Sequence, residues 1–130
     1  MQFTTTAILF LYAISGVSAG CYKRGQSGNY GKDLKSKNLI GLSCKALQGS
    51  FYSQEERATC VRDDNNVKWN FSMKNTGDKS KTLSEDECIK LLQKYAYDCK
   101  NGGKGGSDGW FATSDPNRGD CVGTVQTPEQ

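Results

Sequence analysis

The 130-residue chain contains no histidine. That absence removes the usual base of serine and cysteine hydrolases, the usual zinc and copper ligand, and the acid and base of common secreted ribonucleases. No two cysteines form a C-x-x-C pair, so a zinc site is excluded and neither metal nor other cofactor is expected. Charge of one sign is not in excess. The balance of 17 basic against 14 acidic residues leaves +3, which serves solubility and is too mild to mark a nucleic-acid partner. The glycine-rich stretch 102–109 lacks the G-x-x-x-x-G-K-[ST] order of a phosphate cradle and reads as a flexible connection to an edge strand. Asp115, Asn117 and Asp120 lack EF-hand spacing and its closing Glu, so they read as turn residues rather than a calcium loop.

Long apolar runs are equally scarce. The one that exists, from Ala7 to Ile14, is followed by Gly16-Val17-Ser18-Ala19 and lies in a segment without charged side chains, which predicts a secretion signal over residues 1–19. It is shorter than the roughly 20 residues a membrane span needs, so no membrane insertion is expected. All six cysteines (Cys21, Cys44, Cys60, Cys88, Cys99 and Cys121) lie beyond it, and an even count behind a leader reads as a disulfide framework in a secreted, extracellular protein. Residues 20–130 are enough for one domain with one core.

The segment 83–99 carries its own helix signals. Ser84 and Glu87 form a capping box, Leu83 and Cys88 a staple, and three acids precede Lys90, Lys94 and Lys100 in the polarity the helix dipole favours. Cys88, Leu91, Leu92, Tyr95 and Cys99 fall on one apolar stripe. Cys88 and Cys99 stand about three turns apart, roughly 16 Å, so they cannot pair with each other. A second helix is predicted within 33–47, its face formed by Ile40, Cys44 and Leu47, with Gly49 as its stop. Strands are predicted at 21–24, 57–63, 67–74 and 109–113. The clearest alternates Val67, Trp69, Phe71 and Met73 with Lys68, Asn70, Ser72 and Lys74, which gives it one buried and one wet face. The order strand, helix, strand, strand, helix, strand predicts an α+β two-layer plait of the ferredoxin-like kind, β-α-β-β-α-β, with a four-stranded antiparallel sheet and two helices on one face. Asn70-Phe71-Ser72 is a glycosylation sequon on the wet face, where a glycan would block any interface.

With histidine absent and the thiols oxidised, paired carboxylates are the one catalytic device left. The acids stand in structural positions, at a helix start or in a turn, so no catalytic residue is assigned and the chain reads as a non-enzyme. The closing pattern W-x4-D-P-N-x-G-x-C, formed by Trp110, Asp115, Pro116, Asn117, Gly119 and Cys121, resembles that of a family of small secreted fungal glycan-binding proteins, the ink-cap lectin type. The Cys60 strand, the Trp69 strand and the helix ending at Cys99 are similar to the same family. The resemblance implies a single-domain plait related in shape to fungal killer toxins. It also implies binding without catalysis, of fucosylated glycans containing N-acetylgalactosamine on cell surfaces or glycoproteins, and a defence role. The alternative is a killer-toxin-like or inhibitor-like effector acting on a protein or channel.

Three further expectations follow from the residues. The sugar site is placed around Trp110, Asp115, Asn117 and Arg118 with Tyr97 nearby, because an aromatic, an acid, an amide and a guanidinium cluster there. The competing reading makes Trp110 core and Asp115-Pro116-Asn117 a turn. The topology pairs Cys44 with Cys60 and divides Cys21 and Cys121 between Cys88 and Cys99. The strand ending in Trp110 and Phe111 is expected at a sheet edge, open to a homodimer.

Overall fold

The computed structural model describes residues 20–27, 38–63 and 66–121. The expected leader, residues 33–37 of the expected first helix and the tail from Val122 lie outside the described residues. In chain order the elements are β1 (Gly20–Cys21), α1 (Leu39–Leu47), β2 (Gly49–Phe51), β3 (Glu56–Arg62), β4 (Val67–Asn75), β5 (Lys81–Leu83), α2 (Glu85–Tyr97), β6 (Gly103–Ser107) and β7 (Trp110–Arg118). Five strands form an antiparallel sheet in the order β1-β6-β7-β4-β3, and β2 pairs with β5 in a separate two-stranded ladder.

The alternation in β4 sets the layers. Val67, Trp69, Phe71 and Met73 are buried, while Lys68, Asn70, Ser72 and Lys74 remain partly exposed. Register carries this phase to the neighbours. Val61 stands opposite Trp69 and Ala112 opposite Met73 on the inner face, whereas Cys60 and Asp115 flank Asn70 on the outer face. Both helices cover the inner face, α1 with Leu39, Ile40, Cys44 and Leu47 and α2 with Cys88, Leu92 and Ala96. The expected capping box starts α2: the Glu87 N–H donates to Ser84 Oγ at 3.1 Å, and the Ser84 N–H donates to Glu87 Oε1 at 3.3 Å. Phe51 and Leu83, from β2 and β5, close one end of the core, Phe51 meeting Trp110 edge-on at 5.0 Å.

The sheet departs from the ferredoxin-like expectation. A plait would hold the first strand in the middle, but β1 lies at the edge beside β6, a strand made from the glycine-rich stretch read as a linker. Asp108 and Gly109, with φ of 53° and 85°, form the two-residue turn that joins β6 to β7, with Ser107 opposite Trp110. A Cβ at Gly103 would lie 2.5 Å from Gly20 O, so the glycine lets β1 close on β6. Nor do Asp115, Pro116 and Asn117 turn the chain, because β7 runs on to Arg118. Proline is tolerated there for a geometric reason. The Gly119 N–H donates to Asn66 O, which directs the backbone of Asn117 and Asp115 towards β4 and that of Pro116 away from it. β6 begins only opposite Ser114, so Pro116 costs the ladder no bond. Flanked by β6 and β4, β7 is interior, and the edge expected at Trp110 and Phe111 is not one. Among the described strands the long unpaired edge belongs to β3.

The disulfides are Cys21–Cys99, Cys44–Cys88 and Cys60–Cys121. The expected Cys44–Cys60 bond fails because Cys60 projects from the outer face while Cys44 lies in the helical layer, with the sheet between them. Cys88 and Cys99 are tied to different partners, as their spacing requires. Cys44–Cys88 fastens α1 to α2 and closes a loop of 44 residues. Replacing both by Ala should cost about 4 kcal/mol on chain-entropy grounds, read as a lower urea midpoint with a steeper slope, because the unfolded chain expands once the crosslink is gone.

Candidate functional site

Among the described residues no helix covers the outer face of the five-stranded sheet, and this face collects the polar half of each alternating strand. Cys21 belongs to the inner phase, where its bond to Cys99 anchors β1 below the end of α2. The next residue therefore faces out. The Tyr22 N–H donates to Gly102 O at 2.8 Å, extending the pairing with β6 and setting the phenol over Thr113 and Asp115. Partial burial pushes the Tyr22 phenol above its ordinary 10.0, the Asp115 charge raises it further, and a hydrogen bond with Thr113 partly opposes both. Beside it, Asn117 Nδ2 donates to Asn70 Oδ1 at 3.1 Å and lies 3.3 Å from Asp115 O, so two amides are locked across β4 and β7. Tyr22, Lys23, Arg24 and Asp115 line an open cleft of about 540 Å³.

Two of the expected site residues, Asp115 and Asn117, are thus brought together, and three are not. Trp110 is inner-face core, only 1% exposed, with Lys81 Nζ 5.0 Å from its ring centroid. Arg118 is exposed at the end of β7, in the opposite phase to Asp115 and Asn117. Tyr97 lies at the end of α2 in the helical layer, partly buried, and burial raises its phenol above 10.0. Sequence reasoning missed Tyr22, Thr113 and Arg24. The available signal was the run Tyr22-Lys23-Arg24, an aromatic beside two cations next to a crosslinked cysteine.

A second concavity, about 340 Å³, lies between α2 and the β6–β7 hairpin, with Lys90, Leu91, Lys94 and Asp108 on its walls. Its aromatics, Tyr95 and Trp110, are 4% and 1% exposed, so neither offers a ring face to a ligand. The outer-face cleft has the better chemistry for a neutral polyol. Tyr22 supplies an aromatic body with a polar tip, Asp115 accepts from hydroxyls, Arg24 supplies donors, and Asn117, whose Nδ2 is engaged within the sheet, offers its Oδ1 as an acceptor beside them. Among the described residues no group of three or more His, Cys, Asp or Glu could hold a metal ion.

The Tyr22–Asp115 contact has a measurable signature. Asp115→Asn should lower the pH at which Tyr22 ionises, yet leave it above the ordinary value because burial, the larger cause, remains. Tyrosinate absorbance against pH, compared with a Tyr22→Phe variant, reads this directly. Both Tyr22 and Tyr97 hold their protons more tightly in the fold than in the unfolded chain. Their contribution to stability is therefore complete below pH 10 and is lost as pH rises through the folded-state values.

No curated protein matches the chain. The family described as glycan binding domain Y3 matches it over residues 35–121, well over half its length, taking in every described element from α1 to β7 but not β1. Its defining activity is binding rather than catalysis, which agrees with a face of hydrogen-bonding groups and no histidine. The chain is therefore a member of the Y3 glycan-binding domain family.

Proposed function

We propose that this protein is a secreted lectin, exported by the leader at 1–19, whose outer sheet face binds fucosylated, N-acetylgalactosamine-containing glycans on the surfaces of other organisms as a defence. Family membership supports glycan binding. The placement rests on one observation: the uncovered face holds Tyr22, Asp115 and Asn117 side by side, with their orientations set by disulfide, ladder and amide pairing. Pre-oriented groups lose little freedom on binding, so a shallow site of this kind can still be selective. The family's ink-cap type, in its resemblance to killer toxins, supplies the defence reading.

A homodimer of this lectin would pair the seven-residue free edge of β3 with its copy, giving two sugar sites and hence crosslinking. A monomer mass by light scattering at working concentration would rule that assembly out.

The purified mature chain, free of N-linked sugar, should give selective signals on a glycan array. Asp115→Ala and Asn117→Ala should each weaken the best hit by about tenfold or more, the loss of a hydrogen bond to a desolvated sugar hydroxyl, with little change in melting temperature. Arg118→Ala should bind like the parent. Trp110→Ala should instead destabilise the fold by roughly 3–5 kcal/mol. A silent array with retained toxicity would favour the effector reading, and binding by the Asp115 and Asn117 variants equal to the parent would move the site to the groove beside α2.

A further inference from the structure

The outer face also carries the sequon. Asn70 and Ser72 stand two apart on β4 and so project on the same side, and Asn70 is directly opposite Asp115 in the register. Its two amide atoms are used differently. Oδ1 accepts the hydrogen bond from Asn117 Nδ2, whereas Nδ2, the atom an N-linked oligosaccharide attaches to, has no partner among the described residues and reaches solvent. Folding therefore leaves the acceptor nitrogen pointing outward on a face that none of the described helices covers.

We propose that Asn70 is an N-glycan acceptor and that the attached oligosaccharide closes the chain's own sugar site. The proposal rests on the secreted, glycan-binding reading of this face. In the secretory route the donor is an oligosaccharide carried on a polyprenyl pyrophosphate. The bond formed joins Asn70 Nδ2 to the anomeric carbon, the bond broken joins that carbon to pyrophosphate, and the lipid pyrophosphate leaves while the amide gives up one proton. Transfer takes place on the unpaired chain, before β4 is flanked by β3 and β7. Once the sheet has formed, the first sugar stands one strand away from Asp115 and Asn117. The chain beyond it lies over the same surface, and the tether keeps its local concentration high against any external glycan. Glycosylated and bare chains are then two functional states of one sequence, distinguished before folding.

The test compares the full chain and its Ser72→Ala variant, both secreted from one glycosylating eukaryotic host. Ser72 has no described side-chain partner, so the variant removes the sequon and keeps the Asn70–Asn117 pair. The parent's Asn70 peptide should carry hexosamine and hexose mass that the variant lacks, and the parent should lose the array signal that the variant retains. Amine labelling gives a readout independent of sugar binding: Lys68 and Lys104 on the outer face should react more slowly in the parent, while Lys90 and Lys94 on α2 should not change. An unmodified Asn70, a glycoform that binds like Ser72→Ala, or equal labelling of Lys68 and Lys104 in both proteins would each overturn the proposal. If the Ser72→Ala protein itself binds no glycan, the lectin reading fails, and the mass and labelling results still decide the modification and its coverage of the face.

Discussion

The structure depends on one asymmetry, a central strand that is apolar on one side only. Four large side chains of β4, Val67, Trp69, Phe71 and Met73, need cover, and the four between them do not. Fully burying a side chain of this size contributes about 1.5–3 kcal/mol relative to leaving it exposed, so the inner face of β4 alone justifies a helical layer. It justifies only one. Both described helices, joined by Cys44–Cys88, lie on that side, and among the described residues no helix lies on the other face, where the polar groups stand in register.

The remaining crosslinks and buried polar groups work on this frame at its margins. Cys21–Cys99 holds β1 from the inner side and so commits Tyr22 to the outer one. Cys60–Cys121, joined by the Arg62–Asp120 ion pair, draws the chain after β7 across the outer side of β3. Inside, Asp63 accepts from Trp69 Nε1 at 3.1 Å and closes the β3–β4 hairpin. Asn75 Nδ2 reaches the carbonyls of Phe51, Tyr52 and Lys79 at 2.9–3.4 Å, which welds the small ladder to the end of β4. Ser114 Oγ donates to Leu92 O at 2.7 Å, tying α2 to β7. Each of these polar atoms is buried and paired, the condition under which such groups support a unique packing rather than weaken it.

Much of this was legible from local chemistry. The capping box of α2, the stripe through Cys88 and Leu92, the alternation of β4 and the impossibility of a Cys88–Cys99 bond depend on residues a few positions apart. What was not legible depends on partners far away in the chain. Glycines at 102–109 present no alternation, so β6 had no pattern to be recognised by, although Asp108-Gly109 is a hairpin signal that could have revealed it. Pro116 looked like a turn because only the register shows that its missing N–H faces past the start of β6. With β6 unrecognised, β1 was given the wrong neighbours and Tyr22 could not be placed beside Asp115, while the Cys44 partner was misassigned because the outward phase of Cys60 depends on its register with β4. Asp115 and Asn117 were grouped as candidates because their residue types suit a sugar site, and Trp110 was included with them because composition alone does not reveal which way a strand residue faces.

On the proposed reading, a sheet face that no described helix covers, with its side chains held by crosslinks and amide pairs, would let a small domain without histidine or a metal cluster among its described residues recognise a hydroxyl-rich ligand. The claim is about location, and backbone amide shifts test it most directly. Titrating the isotope-labelled, unglycosylated protein with the best array glycan should move the resonances of Tyr22, Thr113, Asp115, Asn117 and Asn70 and leave those of Lys90, Leu91, Lys94 and Asp108 in place. Shifts confined to Lys90, Leu91, Lys94 and Asp108 would contradict the account and locate recognition between α2 and the β6–β7 hairpin.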